Sequence, residues 1–175
     1  MSLHLILGGA RSGKSSYAES CVLADAKHRR HYVATATQTD QEMSQRIAHH
    51  QARRDESWQL HECPIAVADL VSNFTSQDIV LIDCLTLWMS NIIFEHGKTA
   101  EEAAINQHVA QLVGALSNSP ATIILVSNEV GLGIIPMGEV TRLFVDHAGW
   151  MNQAIAKVAD KVTFVAAGLP MTLKG

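Results

Sequence analysis

Six short segments are rich in apolar residues, and longer stretches with helical spacing lie between them. The strand candidates are LHLIL (Leu3 to Leu7), HYVAT (His31 to Thr35), WQLHE (Trp58 to Glu62), DIVLID (Asp78 to Asp83), TIILVS (Thr122 to Ser127) and KVTFVA (Lys161 to Ala166). Within them, Leu3 to Leu7, Ile79 to Ile82 and Ile123 to Val126 are apolar almost throughout, as strands buried on both faces are. The intervening segments carry helical patterns of ten residues or more. Thr39 with Glu42 and Thr99 with Glu102 are spaced as capping boxes, and Pro64 suits a first helical position. Strands alternating with helices predict an α/β fold, a mostly parallel central sheet flanked by helices. The chain shows no repeat, low-complexity tract or linker, so residues 1–175 are expected to form a single domain. NSP at Asn118 to Pro120 and EHGK at Glu95 to Lys98 read as turns within it.

Composition narrows the picture. With 175 residues, 47% hydrophobic and 17% charged, the chain can bury one sizeable core. A formal charge of −4 argues against a general nucleic-acid binder, which needs a basic surface to displace counterions. Cys21, Cys63 and Cys84 are widely spaced and form no C-x-x-C pair, which fits a reducing cytoplasm. The opening MSLHLILGG is too short an apolar run for a membrane span and lacks a basic leader. No membrane span is expected.

The first sharp chemical signal is GGARSGKS, comprising Gly8, Gly9, Ala10, Arg11, Ser12, Gly13, Lys14 and Ser15. It fits G-x-x-x-x-G-K-[ST], follows a predicted strand and opens a predicted helix, the context that a phosphate-binding P-loop requires. Glycines let the backbone bend so that N–H groups face an anion, Lys14 supplies a positive charge, and the Ser15 hydroxyl suits Mg²⁺. The strand DIVLID then delivers Asp83 at its carboxyl end, where ligands gather in open parallel sheets. Asp83 fits the acid that helps to hold Mg²⁺; capping of the following helix is the alternative. No N-K-x-D motif marks guanine specificity.

The second signal is RIAHHQARR, Arg46 to Arg54. On a helix capped by Thr39, His50 lies one turn from Arg46 on one side and from Arg53 and Arg54 on the other, making a cationic face. Exposed ion pairs contribute only ~0–1 kcal/mol, whereas guanidinium bonds to a desolvated phosphate can contribute about 1.5–3 kcal/mol, so an anionic ligand accounts better for the clustering. Three readings stay open on the residues alone. One is a solvated helix face. The second is metal binding by His49 or His50 with His61 and Cys63, although adjacent helical histidines diverge by about 100°. The third is covalent catalysis, in which a neutral imidazole attacks phosphorus and a second substrate displaces it.

GGARSGKS, YVATA (Tyr32 to Ala36), RIAHH (Arg46 to His50), LIDCLTLWMSN (Leu81 to Asn91), SNEVGLGIIP (Ser127 to Pro136) and FVDHAGWMNQAIAKVADKV (Phe144 to Val162) together resemble the bifunctional adenosylcobinamide kinase / adenosylcobinamide-phosphate guanylyltransferase family of cobalamin biosynthesis. The likeness spans almost the whole chain. It implies a P-loop NTPase-like fold and an enzyme that phosphorylates adenosylcobinamide with ATP or GTP. It further implies GMP transfer from GTP, through a guanylylated histidine, onto adenosylcobinamide phosphate, giving adenosylcobinamide-GDP and pyrophosphate. Carried over, His50 is the GMP acceptor with His49 as its fallback. Gly8 to Ser15, Ala34, Thr35, Ala36, Gln51, Ala52, Arg53, Arg54, Glu62 and Asp83 then form the nucleotide site, with Mg²⁺ at Ser15 and Asp83. The resemblance also implies a homotrimer. A P-loop small-molecule kinase without guanylyl transfer is the alternative reading, and a nucleotide-gated regulatory protein is a third. Asn128 and Glu129 are assigned either to substrate orientation or to loop capping, Asp146, Gly149 and Asn152 to subunit packing, and Trp88, Met89, Ile92 and Ile93 to core or interface.

Overall fold

Side chains that alternate along each central strand divide between two helical layers. The computed structural model describes residues 2–37, 57–94 and 101–175. Its strands are β1 (Ser2–Gly8), β2 (Arg29–Ala34), β3 (Trp58–Glu62), β4 (Asp78–Asp83), β5 (Thr122–Asn128), β6 (Lys161–Ala166) and β7 (Leu169–Lys174). The helices are α1 (Lys14–Leu23), α2 (Val67–Val71), α3 (Leu85–Ile93), α4 (Glu102–Asn118) and α5 (Glu139–Val158). The strands form one seven-stranded sheet in the order β3-β2-β4-β5-β1-β6-β7, parallel throughout except for the final β6–β7 hairpin.

Leu3, Leu5, Leu7, Val80, Ile82, Ile123 and Leu125 face one layer, where they pack with residues of α2, α3, α4 and α5. Ile6, Ile79, Leu81, Ile124 and Val126 face the other, against Ala18 and Val22 of α1. This two-sided burial is why β1, β4 and β5 read as continuous apolar runs. Trp88, Met89, Ile92 and Ile93 are core residues. Each fully buried aliphatic side chain contributes about 1.5–3 kcal/mol of transfer free energy, so these three strands supply much of the burial that holds the layers together.

Three local expectations need correction. The helix expected to start at Thr99 begins at Glu102, with extended Glu101 at its N-cap; the acidic first turn complements the helix dipole. The helix expected at Pro64 begins at Val67. There the carbonyl of Pro64 accepts from Asn91 Nδ2 (3.0 Å) and that of Ile65 from Trp88 Nε1 (2.8 Å), which holds the segment as a turn. β7 is an added strand, introduced by Ala167 (φ 52°) and Gly168 (φ 78°), the left-handed pair that reverses the chain after β6. Thr39 and Glu42 lie outside the described residues.

The sheet's β2–β3 flank is held by a buried polar chain. Asp78 Oδ1 accepts from Arg29 Nε (2.8 Å) and His31 Nε2 (3.1 Å), while Oδ2 accepts from the Thr75 backbone N–H (2.7 Å) and hydroxyl (2.9 Å). His31 Nδ1 in turn meets His61 Nε2 at 3.0 Å. With Asp78 ionised, His31 donates to it from Nε2, and in the Nε2–H tautomer its Nδ1 accepts from His61 Nε2. His61, grouped from the sequence with Cys63 as a metal donor, is therefore a partner of His31. Burial lowers its pKa, and the neighbouring His31 acts in the same direction.

Burial alone would raise the Asp78 pKa, but the Thr75, Arg29 and His31 donors outweigh it and bring the value down to about 2. A carboxyl depressed in the folded state stabilises it above the unfolded pKa, near 4, and loses that contribution as pH falls through the folded value. Asp78→Asn is expected to cost roughly 2 kcal/mol at pH 7. The gap from the parent protein should narrow from pH 4 towards pH 2, as read from urea denaturation midpoints across that range.

Candidate active site

The parallel strands aim their carboxyl ends at one edge of the sheet, and β5 sits between β1 and β4. Gly8 pairs with Asn128, Val126 with Asp83, Asp83 with Ala34, and Ala34 with Glu62. Register thus gathers the ends of five strands that the sequence spreads over more than a hundred residues.

At the end of β1 the backbone must fold tightly. A Cβ on Gly8 would lie 2.5 Å from both Ser12 Oγ and the Val165 carbonyl oxygen, so only glycine fits there. Arg11 (φ 55°) and Gly13 (φ 93°) take left-handed conformations that turn the loop into α1. Gly13 is the N-cap and provides no side-chain cap; the first N–H groups of the helix are left to an anionic ligand. The Ser12 hydroxyl is buried without a hydrogen-bond partner, a second polar group ready for one. From outside, the Gly168 N–H donates to the Ser12 carbonyl at 2.8 Å.

Lys14 is buried, with its ammonium donating to the Gly9 carbonyl at 3.0 Å. Burial pulls its pKa down, and the charge of Asp83 partly restores it. That coupling places Asp83 within electrostatic reach of the phosphate loop. Asp83 does not cap α3; Cys84 occupies that N-cap without a side-chain capping bond, its Sγ meeting Thr86 Oγ1 at 3.2 Å, and the Asp83–Cys84 peptide is cis. The Cys84 thiol is pushed up to about 11, first by burial and then by the Asp83 charge, so it stays protonated at neutral pH. Half-buried Asp83 and Ser15 offer a carboxylate and a hydroxyl, hard oxygen donors of the kind that Mg²⁺ takes alongside water and phosphate.

Around this centre, Thr35 locks the end of β2 to β4. Its hydroxyl donates to the Cys84 carbonyl (2.7 Å) and accepts from the Cys84 N–H (2.9 Å), while Asn91 Nδ2 donates to the Thr35 carbonyl (2.8 Å). Ala34 and Ala36 flank Thr35 half-buried, and Glu62 is exposed at the end of β3. Asn128 Nδ2 donates to Thr86 Oγ1 (2.8 Å), and Asn152 Nδ2 donates to the Asn128 carbonyl (3.3 Å). Glu129 caps its own loop through the Gly131 N–H (2.8 Å), and its backbone N–H is tied to the Gly8 carbonyl (3.0 Å). His49, His50, Gln51, Ala52, Arg53 and Arg54 lie outside the described residues.

Sequence reasoning missed Thr86 and Gly168. The first is an ordinary residue of an apolar helix; the second carried the readable signal of a glycine after a strand. The arrangement can bind a polyphosphate, neutralise it with Lys14 and position a divalent cation.

The family model for cobinamide kinase / cobinamide phosphate guanyltransferase matches residues 4–173. The bifunctional adenosylcobalamin biosynthesis protein CobP of Pseudomonas aeruginosa is 46% identical over 172 residues, covering 98% of this chain and 96% of its own. The corresponding protein CobU of Escherichia coli is 36% identical over 180 residues, covering 97% and 98%. A solved structure from Pyrococcus horikoshii superposes with a TM-score of 0.57 at 10% identity, over 99% of this chain and 86% of that one, a likeness of fold.

Gly8→Ala tests the tight approach at the end of β1. The added methyl group meets backbone as well as a side chain, so the loop must shift. The expected cost is about 2–4 kcal/mol, or roughly 5–12 °C in Tm by calorimetry. Nucleotide affinity, measured by isothermal titration, should fall at least tenfold.

Proposed function

The chain belongs to the cobinamide kinase / cobinamide phosphate guanyltransferase family, and from that premise we propose how its residues divide the two reactions. It is a bifunctional enzyme of adenosylcobalamin biosynthesis, with kinase and guanylyltransferase activities. In the kinase step, the aminopropanol hydroxyl of adenosylcobinamide attacks the γ-phosphorus of ATP or GTP bound at Gly8, Gly9, Ala10, Arg11, Ser12, Gly13, Lys14 and Ser15. The nucleoside diphosphate leaves and the hydroxyl proton is released. Lys14 and the open start of α1 hold the phosphates. Mg²⁺ at Ser15 and Asp83 would neutralise phosphate charge.

In the second reaction an imidazole nitrogen of His50 attacks the α-phosphorus of GTP. A P–N bond forms, the bond to the β-phosphate oxygen breaks, and pyrophosphate departs. A phosphate oxygen of adenosylcobinamide phosphate then attacks the same phosphorus, displacing His50 and giving adenosylcobinamide-GDP. Ala34, Thr35, Ala36, Gln51, Ala52, Arg53, Arg54 and Glu62 complete the GTP site.

The observation that carries this reading is the uncapped α1 start beside buried Lys14 and Asp83, within a chain that matches the family from end to end. We place the enzyme in the cytoplasm, as a single-domain homotrimer. The free thiols at Cys21, Cys63 and Cys84 support a reducing compartment. Among the described residues, no helix is long and apolar enough to cross a membrane.

Incubation with α-labelled GTP should yield a base-stable, acid-labile GMP adduct that peptide mapping assigns to His50. His50→Ala should abolish the label and His49→Ala should retain it. Full labelling of His50→Ala would refute the assignment and leave a kinase. Lys14→Ala should lower cobinamide phosphorylation by at least a hundredfold in kcat/KM.

A further inference from the structure

The loop VGLGIIPMG, Val130 to Gly138, joins β5 to α5 without a charged residue. Leu132 is 80% exposed, Ile134 97%, Ile135 78% and Met137 94%, an apolar surface that an unliganded chain would have reason to hide. Its backbone is nonetheless fixed. The Glu129 N–H is tied to Gly8 at one end, Glu129 Oε1 accepts from Gly131, and at the other end Arg142 donates to the carbonyls of Pro136 and Met137. The side chains are therefore presented outwards by a loop that begins at the phosphate cradle.

Beside it is a cavity of about 220 Å³ lined by Ser90, Phe94, Val140, Thr141 and Phe144, between the end of α3 and the start of α5. α3 starts two residues after Asp83 and rises for nine residues, roughly 13 Å, so the cleft and the phosphate site are served by one short helix. This cleft, about 220 Å³, is smaller than the ~300–1,000 Å³ that a drug-sized ligand takes. A corrin macrocycle with its amide arms is larger than such a ligand. It therefore needs an open platform, apolar for the methylated ring and free of charge opposite its neutral amides.

We propose that the Val130 to Gly138 loop, with the cleft between α3 and α5, is the corrinoid-binding surface. The macrocycle rests on Leu132, Ile134, Ile135 and Met137, and its aminopropanol arm extends to the phosphate loop. This rests on the function proposed above and adds where the acceptor substrate is held.

The test uses the full chain carrying Ile134→Ser with Met137→Ser, and separately Ile135→Ser. Adenosylcobinamide binding is read by equilibrium dialysis, kinetics with each substrate varied in turn, labelling with GTP alone, and mass by light scattering. The double variant should raise the Kd and KM for adenosylcobinamide at least tenfold. KM for nucleotide, GTP labelling and mass should stay as in the parent. Unchanged corrinoid binding in an otherwise active variant overturns the inference alone, as does a fall in mass, which would make the loop a contact with a second copy. Failure of the unsubstituted protein to bind adenosylcobinamide overturns both this inference and the function beneath it.

Discussion

The insertion of β5 between β1 and β4 fixes the whole working edge of this molecule. Neighbouring strands lie ~4.8 Å apart, so the strand carrying the phosphate loop and the strand carrying Asp83 are separated by about 10 Å. Because Gly8 is level with Asn128 while Asp83 is level with Val126, Asp83 is also set back by two residues, roughly 6–7 Å. That offset leaves a gap between the loop and the acid at the carboxyl edge of β5. It also brings Asn128 into the gap, where Thr86 and Asn152 hold it through its amide and its carbonyl.

Much of the geometry near this edge is set by side chains bonded to other strands and helices. Thr35 acts as both donor and acceptor for Cys84, so the end of β2 is clamped to the turn after Asp83. Further along β2, the chain from Asp78 through His31 to His61 fastens the edge strand β3, whose last residue is Glu62. Buried polar networks of this kind rigidify when every member is satisfied. The two clamps keep the far side of the sheet in register with the phosphate loop, four strands away from β3.

The central strands were legible because burial on both faces leaves an unbroken apolar run; β4 and β6 coincide with DIVLID and KVTFVA. β7 was not, since all six of its residues are exposed and LPMTLK carries a proline at its second position that weakens any strand reading. The phosphate loop could be read directly because its glycines and lysine answer to local backbone demands. The Asp78–His31–His61 chain could not, as it joins residues from three strands, and His61 alone looks equally like a metal donor. Asp83 stood out for its place at a strand end, but that Cys84 and not Asp83 is the N-cap of α3 could be seen only in the fold.

The hydrogen bond from Gly168 to Ser12 has a bearing on how the protein is assembled. The turn that braces the phosphate loop arrives about 155 residues after it along the chain, and β6, which flanks β1 on that side, is almost as remote. The most recognisable motif in the sequence is thus not an independent folding unit. Its loop is finished only when one of the most distant parts of the chain docks, a high contact order that ties nucleotide competence to late folding events.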